Sequence, residues 1–172
     1  NNQLSISDII NSQKVILINL SKGTLGTDAA HLLGSLLLNS FSSAGFHRTT
    51  IPENDRKPFF IYLDEFQNFT TLALINMFAE LRKFKIAFIL AHQYLGQLSP
   101  KIKDAVLGNI GTIICFRVSY EDAKYMEHEF YPDLLAKDFM YLRNYRIYVK
   151  ILINGMPSAG FSANTIQLGK TP

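Results

Sequence analysis

Phe60-Ile61-Tyr62-Leu63-Asp64-Glu65 is an apolar run closed by two adjacent acids. This is the form of a Walker B segment. In that form the first carboxylate, Asp64, holds the water shell of a magnesium ion, a hard cation that takes oxygen ligands. The second, Glu65, polarises the water that attacks a terminal phosphate. The plainer reading is that both acids cap the turn after the strand. The next apolar run, Ile89-Leu90-Ala91, ends at His92-Gln93. A neutral amide at Gln93 is suited to sense a γ-phosphate or orient a water; otherwise it is an exposed strand end. His92 is expected to pack or hydrogen-bond locally, since no second histidine or cysteine stands by to complete a metal site. Arg117 lies in Ile114-Cys115-Phe116-Arg117-Val118. A guanidinium is costly to bury unpaired. It either pairs with Glu121 or Asp122 or projects to a neighbouring subunit as an arginine finger.

The phosphate loop that accompanies such acids, G-x-x-x-x-G-K-[ST], is not found in these residues. Gly169-Lys170-Thr171 is a chance match, because Asn164 stands where the first glycine is required and only Pro172 follows. Lys22-Gly23-Thr24-Leu25-Gly26 is a glycine-bearing turn without the Gly-Lys-Ser/Thr ending. Half of a nucleotide site is therefore legible. Arg82, Lys83, Lys85, Lys101 and Lys103 form a candidate basic track for nucleic acid, with a solvated helix end as the simpler alternative.

The elements that must position these residues alternate. Short strands are expected at Val15–Leu20, Pro58–Leu63, Ile86–Ala91 and Gly111–Val118, from their β-branched or continuous apolar runs. Helices are expected at Asp28–Leu38, capped by Thr27 or Asp28, and at Leu72–Phe84, Pro100–Leu107 and Tyr120–Phe130. Ser42–Lys57 reads as a surface loop. Tyr145–Asn154 and Pro157–Ser162, joined by Asn154-Gly155, read as a closing hairpin within residues 145–163. The pattern predicts one α/β domain over residues 1–172, with a mainly parallel sheet flanked by helices and the strand-end motifs within 15–130. Ligands bind beyond the carboxyl ends of strands in such sheets.

Composition sets the outer bounds. The chain has 172 residues and 19.5 kDa, with 48% apolar and 18% charged residues, which suits a packed core and excludes disordered, collagen-like and coiled-coil classes. No apolar run approaches the roughly 18 residues of a membrane span, and no leader is visible behind Asn1-Asn2. The single cysteine, Cys115, allows neither an internal disulfide nor a cysteine zinc cluster. A net charge of +3 and a pI near 9.0 are compatible with a nucleic-acid partner.

Five segments in order carry a resemblance: Ile18-Asn19-Leu20-Ser21-Lys22-Gly23; Leu63-Asp64-Glu65-Phe66; Leu81-Arg82-Lys83-Phe84; Ala91-His92-Gln93; and Gly108–Thr112 running on to Phe116–Ser119 and Glu121–Ala123. Over about residues 10 to 130 the chain resembles the second half of the RecA-like P-loop NTPase core of the HerA/FtsK superfamily. Within it, the TraG/TraD-type conjugative coupling proteins are the branch resembled, with HerA-like helicases next. The resemblance implies an ATPase that drives DNA through a hexameric ring with ATP and Mg2+. It matches Asp64 to the magnesium-shell acid, Glu65 to the catalytic glutamate and Gln93 to the sensor glutamine, and places Arg117 near the trans arginine. It implies a partial core lacking the Walker A segment and inactive alone, and DNA, secretion-channel or relaxosome proteins as partners. It implies a cytoplasmic location, with any membrane anchor in a region outside this chain. The rival readings are a non-catalytic assembly or binding module with a degenerate NTPase fold, a flavodoxin-like domain with incidental acids, and a packaging or secretion motor of the same superfamily.

Overall fold

The computed structural model describes residues 5–69 and 71–166; Gly169-Lys170-Thr171 lies outside them. The chain divides into two compact units, residues 1–93 with 98–106, and residues 94–97 with 107–172.

In the first unit, helix α1 (Ile6–Asn11) begins where the Ser5 hydroxyl accepts from the Asp8 N–H, at 3.3 Å. The strand expected at Val15–Leu20 joins no sheet among the described residues. Val15 and Leu17 are 89% and 92% exposed, and only Ile16 leans on the core. A β-branched run becomes a strand only where a neighbour offers a ladder. Here the run ends at Ser21, whose N–H donates to the Asn19 side chain at 3.0 Å, and helix α2 (Lys22–Leu25) follows.

Helix α3 (Thr27–Phe46) starts after Gly26 and runs eight residues beyond the expected end. The first residues of the expected Ser42–Lys57 loop are accommodated inside it. Buried Ser42 donates to the Leu38 carbonyl at 2.8 Å, which satisfies its hydroxyl without breaking the helix. Gly45 lets α3 approach closely, since a Cβ there would sit 2.6 Å from the Ile86 and Leu81 side chains. Short 3-10 turns at His47–Thr50 and Glu53–Asp55 lead to strand β1 (Phe59–Leu63). Helix α4 (Leu72–Leu81) and a 3-10 turn, Arg82–Phe84, lead to strand β2 (Ile86–Leu90), and helix α5 (Pro100–Asn109) comes later.

Strands β1 and β2 pair in parallel, with Phe59 opposite Ile86 and Leu63 opposite Leu90. Ile9, Ile10, Leu38, Phe41, Phe59, Ile61, Leu81 and Ile86 form the core beneath them. Full burial of each large side chain contributes about 1.5–3 kcal/mol before ordering costs. The opposite face of this parallel pair carries exposed Phe60 and Tyr62.

The second unit holds strand β3 (Thr112–Cys115), helices α6 (Tyr120–Glu129) and α7 (Ala136–Met140), and strands β4 (Arg146–Ile153), β5 (Met156–Pro157) and β6 (Phe161–Asn164). Its sheet is antiparallel: β4 pairs with β3, β5 and β6. Among the described residues, parallel pairing is therefore confined to β1 and β2, because the closing hairpin takes the edge of β3. The turn forms where expected, with Asn154 at φ 53° and Gly155 at φ 81°. Two successive positive φ values match the right-handed twist of the flanking strands. Phe130, Phe139 and Ala123 are fully buried here, and the Phe139 ring meets Phe130 and Tyr148 edge-on at 5.3 and 5.2 Å.

Candidate active site

The in-register parallel pair fixes the site. The Ala91 N–H donates to the Leu63 carbonyl at 2.9 Å, and the Phe66 N–H donates back to Ala91 at 3.2 Å. The chain leaving β1 and the chain leaving β2 are thus stapled side by side. This brings two residues, 28 apart in sequence, into contact. The Gln93 amide donates to Glu65 Oε1 at 2.7 Å. Gln67, which drew no attention in the sequence, donates to the other oxygen, Oε2, at 2.5 Å. Both carboxylate oxygens of Glu65 are held by neutral amides.

The clamp depends on an unusual backbone. Glu65 has φ 49° and ψ 46°, the left-handed region. That conformation costs a non-glycine residue about 1–2 kcal/mol, and such strain gathers at functional positions. The turn it makes feeds a 3-10 turn, Phe66–Asn68, which folds Gln67 back toward its neighbour. No periodicity or motif signals this.

Asp64 is exposed, and its Oδ1 accepts the Glu65 N–H at 3.0 Å. The plainer reading, an acid engaged with its own turn, therefore holds for one oxygen. Among the described residues, no hydrogen bond or ion pair engages its other oxygen. A hard oxygen donor facing solvent fits the water shell of a magnesium ion. Fully buried Phe66 meets the His92 ring edge-on at 5.0 Å, so His92 packs locally, as expected. Lys22 reaches the same loop and donates to Asn68 Oδ1 at 2.9 Å. Phe69, which follows, lies over Gly34 of α3, where a Cβ would meet its ring at 2.3 Å.

The other candidates are carried by other elements. Arg117 belongs to the second unit, just past β3, and is exposed. Neither acid offered as its partner takes it: Asp122 accepts the Leu95 N–H at 3.2 Å, and Glu121 lies 3.7 Å from Lys124. Arg82 and Lys83 are exposed in the 3-10 turn after α4, and Lys101 is exposed on α5. Lys103 is only 6% exposed, so an accessible basic track in the first unit rests on Arg82, Lys83 and Lys101.

The family model for the type IV secretion-system coupling protein DNA-binding domain matches residues 1–131. The chain belongs to that family. No curated protein matches. Among solved structures, the genome packaging NTPase B204 of Sulfolobus turreted icosahedral virus 2, in complex with AMPPCP, is similar. It has a TM-score of 0.62 at 16% identity, with 96% of this chain and 73% of that one covered. B204, the DNA-packaging ATPase of Sulfolobus turreted icosahedral virus, gives 0.59 at 18% identity, covering 97% and 74%. These likenesses establish the α/β fold of a P-loop NTPase for this coupling-protein domain. Among the described residues, no helix is long and apolar enough to cross a membrane.

Proposed function

We propose that this domain is part of an ATP-driven motor that moves DNA in conjugative type IV secretion, acting as a ring of six subunits. The observation that carries this reading is the contact between Glu65 and Gln93 at the carboxyl ends of a parallel strand pair, in a chain of the coupling-protein family. Glu65 accepts the proton of the attacking water once Gln93 and Gln67 release its oxygens. Gln93, freed, donates to the terminal phosphate and reports its presence. Asp64 would hold a magnesium ion through its water shell, and the ion would supply charge neutralisation at the phosphates. Arg117, exposed and without a carboxylate partner among the described residues, serves the site of a neighbouring subunit. Arg82, Lys83 and Lys101 touch DNA phosphates. The phosphate loop must come from a segment other than these 172 residues, and secretion-channel or relaxosome proteins are the expected further partners. The domain works on the cytoplasmic side.

The test is Glu65→Gln in a protein that also carries the phosphate loop. A general base is worth about 10²–10⁴-fold, so ATP turnover should fall by that factor while ATP affinity stays within a few fold. Turnover near the wild-type rate would overturn the role of Glu65. Absence of turnover in the unmutated protein would favour a non-catalytic binding module.

A further inference from the structure

The second unit has a cleft of about 410 Å³ between the end of α7 and the start of β4. Its walls bring Lys137, Arg143 and Arg146 together with Tyr141 and Tyr148. All of these residues lie past residue 131, where the family match ends, and none is among the residues described around Glu65. The floor is rigid. Leu142 is buried, the Tyr148 ring is braced against Phe139, and β4 is held on both edges by β3 and β6. The turn that carries Arg143 is tied down by the Thr165 N–H donating to the Tyr145 carbonyl at 2.7 Å and the Arg146 N–H donating to the Arg143 carbonyl at 3.2 Å.

Three cations face one carboxylate. That carboxylate, Asp138, accepts the Leu135 N–H at 2.8 Å to cap α7. Among the described residues, no acid pairs with Lys137, Arg143 or Arg146; the Arg146 guanidinium donates to the Ser162 hydroxyl, at 3.3 Å. Tyr141 stands 80% exposed beside them. An unpaired basic rim around an aromatic face held out in water suits a polyanion whose units carry flat rings. Duplex DNA hides its ring faces in the stack, whereas a single strand offers them.

We propose that this cleft binds single-stranded DNA, with Arg143, Arg146 and Lys137 on phosphates and a base stacked on Tyr141. The proposal rests on DNA being the partner of this chain and adds a contact site for it. Binding of a fluorescein-labelled 25-nucleotide oligo-dT to the full chain, followed by anisotropy across salt concentrations, tests it. Arg143→Ala with Arg146→Ala should weaken binding at least 10-fold and flatten the salt slope by about 1.4, at roughly 0.7 per phosphate contact. Arg143→Lys with Arg146→Lys should restore most of the slope. Tyr141→Ala should cost about 5- to 150-fold with the slope unchanged, and Tyr141→Phe should bind like wild type. Wild-type binding by the double alanine variant overturns the site, leaving the DNA partner intact. No loss in Tyr141→Ala, or equal binding to a mixed-sequence duplex or to dextran sulfate, reduces the cleft to an unspecific anion surface and overturns the single-strand claim. If the wild-type chain binds none of these nucleic acids, the DNA reading itself fails as well.

Discussion

Glu65, Gln93 and Gln67 show what a contact can and cannot reveal before folding. The two strand-end acids and Gln93 were legible because strand ends are where ligands meet parallel sheets, and each sits at the close of a short apolar run. Gln67 was not legible. Its approach to Glu65 exists only because residue 65 takes a left-handed backbone, and nothing in Asp64-Glu65-Phe66 favours that over a right-handed turn. Cys115 gives a test of burial at a single side chain. Only 6% exposed, its thiol is pushed up to about 12, from an ordinary 9.0, by burial and then by the nearby Asp122 charge. Unfolded chains ionise this thiol above about pH 9 while the fold keeps it neutral. The stability it supports is therefore full below about pH 9 and declines as pH rises toward about 12. The limiting slope is about 1.4 kcal/mol per pH unit. Urea unfolding from pH 7 to 11 should show this decline, and Cys115→Ala should remove that part of it. Parallel pH profiles for the two proteins would show that the thiol is not shielded.

Helix α3 and the segment after it held the main departure from expectation. Ser42 to Lys57 reads as loop from its polar residues, yet its first part is helix and its centre is a buried guanidinium. Arg48 is 1% exposed. It donates to Asn11 Oδ1 at 3.1 Å and to the Phe84 and Lys57 carbonyls at 2.6 Å each, tying α1, the turn before β2 and the approach to β1 to one head group. Burial and the neighbouring Arg56 cation push its pKa down, and the carbonyls compensate the charge in place of an acid. Sequence patterning weighs an arginine as surface, so this role could not be read in advance. Arg48→Met should lose about 3 kcal/mol or more in chemical denaturation, since hydrogen bonds to a charged donor are worth about 1.5–3 kcal/mol each. Arg48→Lys should recover little of it, because one ammonium cannot span three acceptors set in a fork. A loss below about 1 kcal/mol would mean that the three elements are held by other contacts.

At the scale of the proposed ring, Arg117 is the probe. If it serves a neighbour's nucleotide, Arg117→Ala and Glu65→Gln should each silence a ring built of one kind of subunit, in a protein that carries the phosphate loop. Mixing the two should then restore part of the ATPase activity, because some junctions receive an intact Glu65 from one subunit and an intact Arg117 from the next. A mixture as inactive as its components would place Arg117 in the service of its own subunit. The α/β class, the parallel pair and the hairpin turn were readable because each rests on local pattern. The antiparallel sheet of the second unit was not, because it depends on which strand reaches the edge of β3.

The left-handed backbone at Glu65 also bears on any attempt to make a hardier version of this protein. Glycine or asparagine would sit at position 65 with less strain, so a screen that rewards heat resistance alone would drift toward them. Every such gain would discard the carboxylate. With Glu65 as the proposed general base, a thermostabilised variant worth keeping has to be selected with position 65 locked.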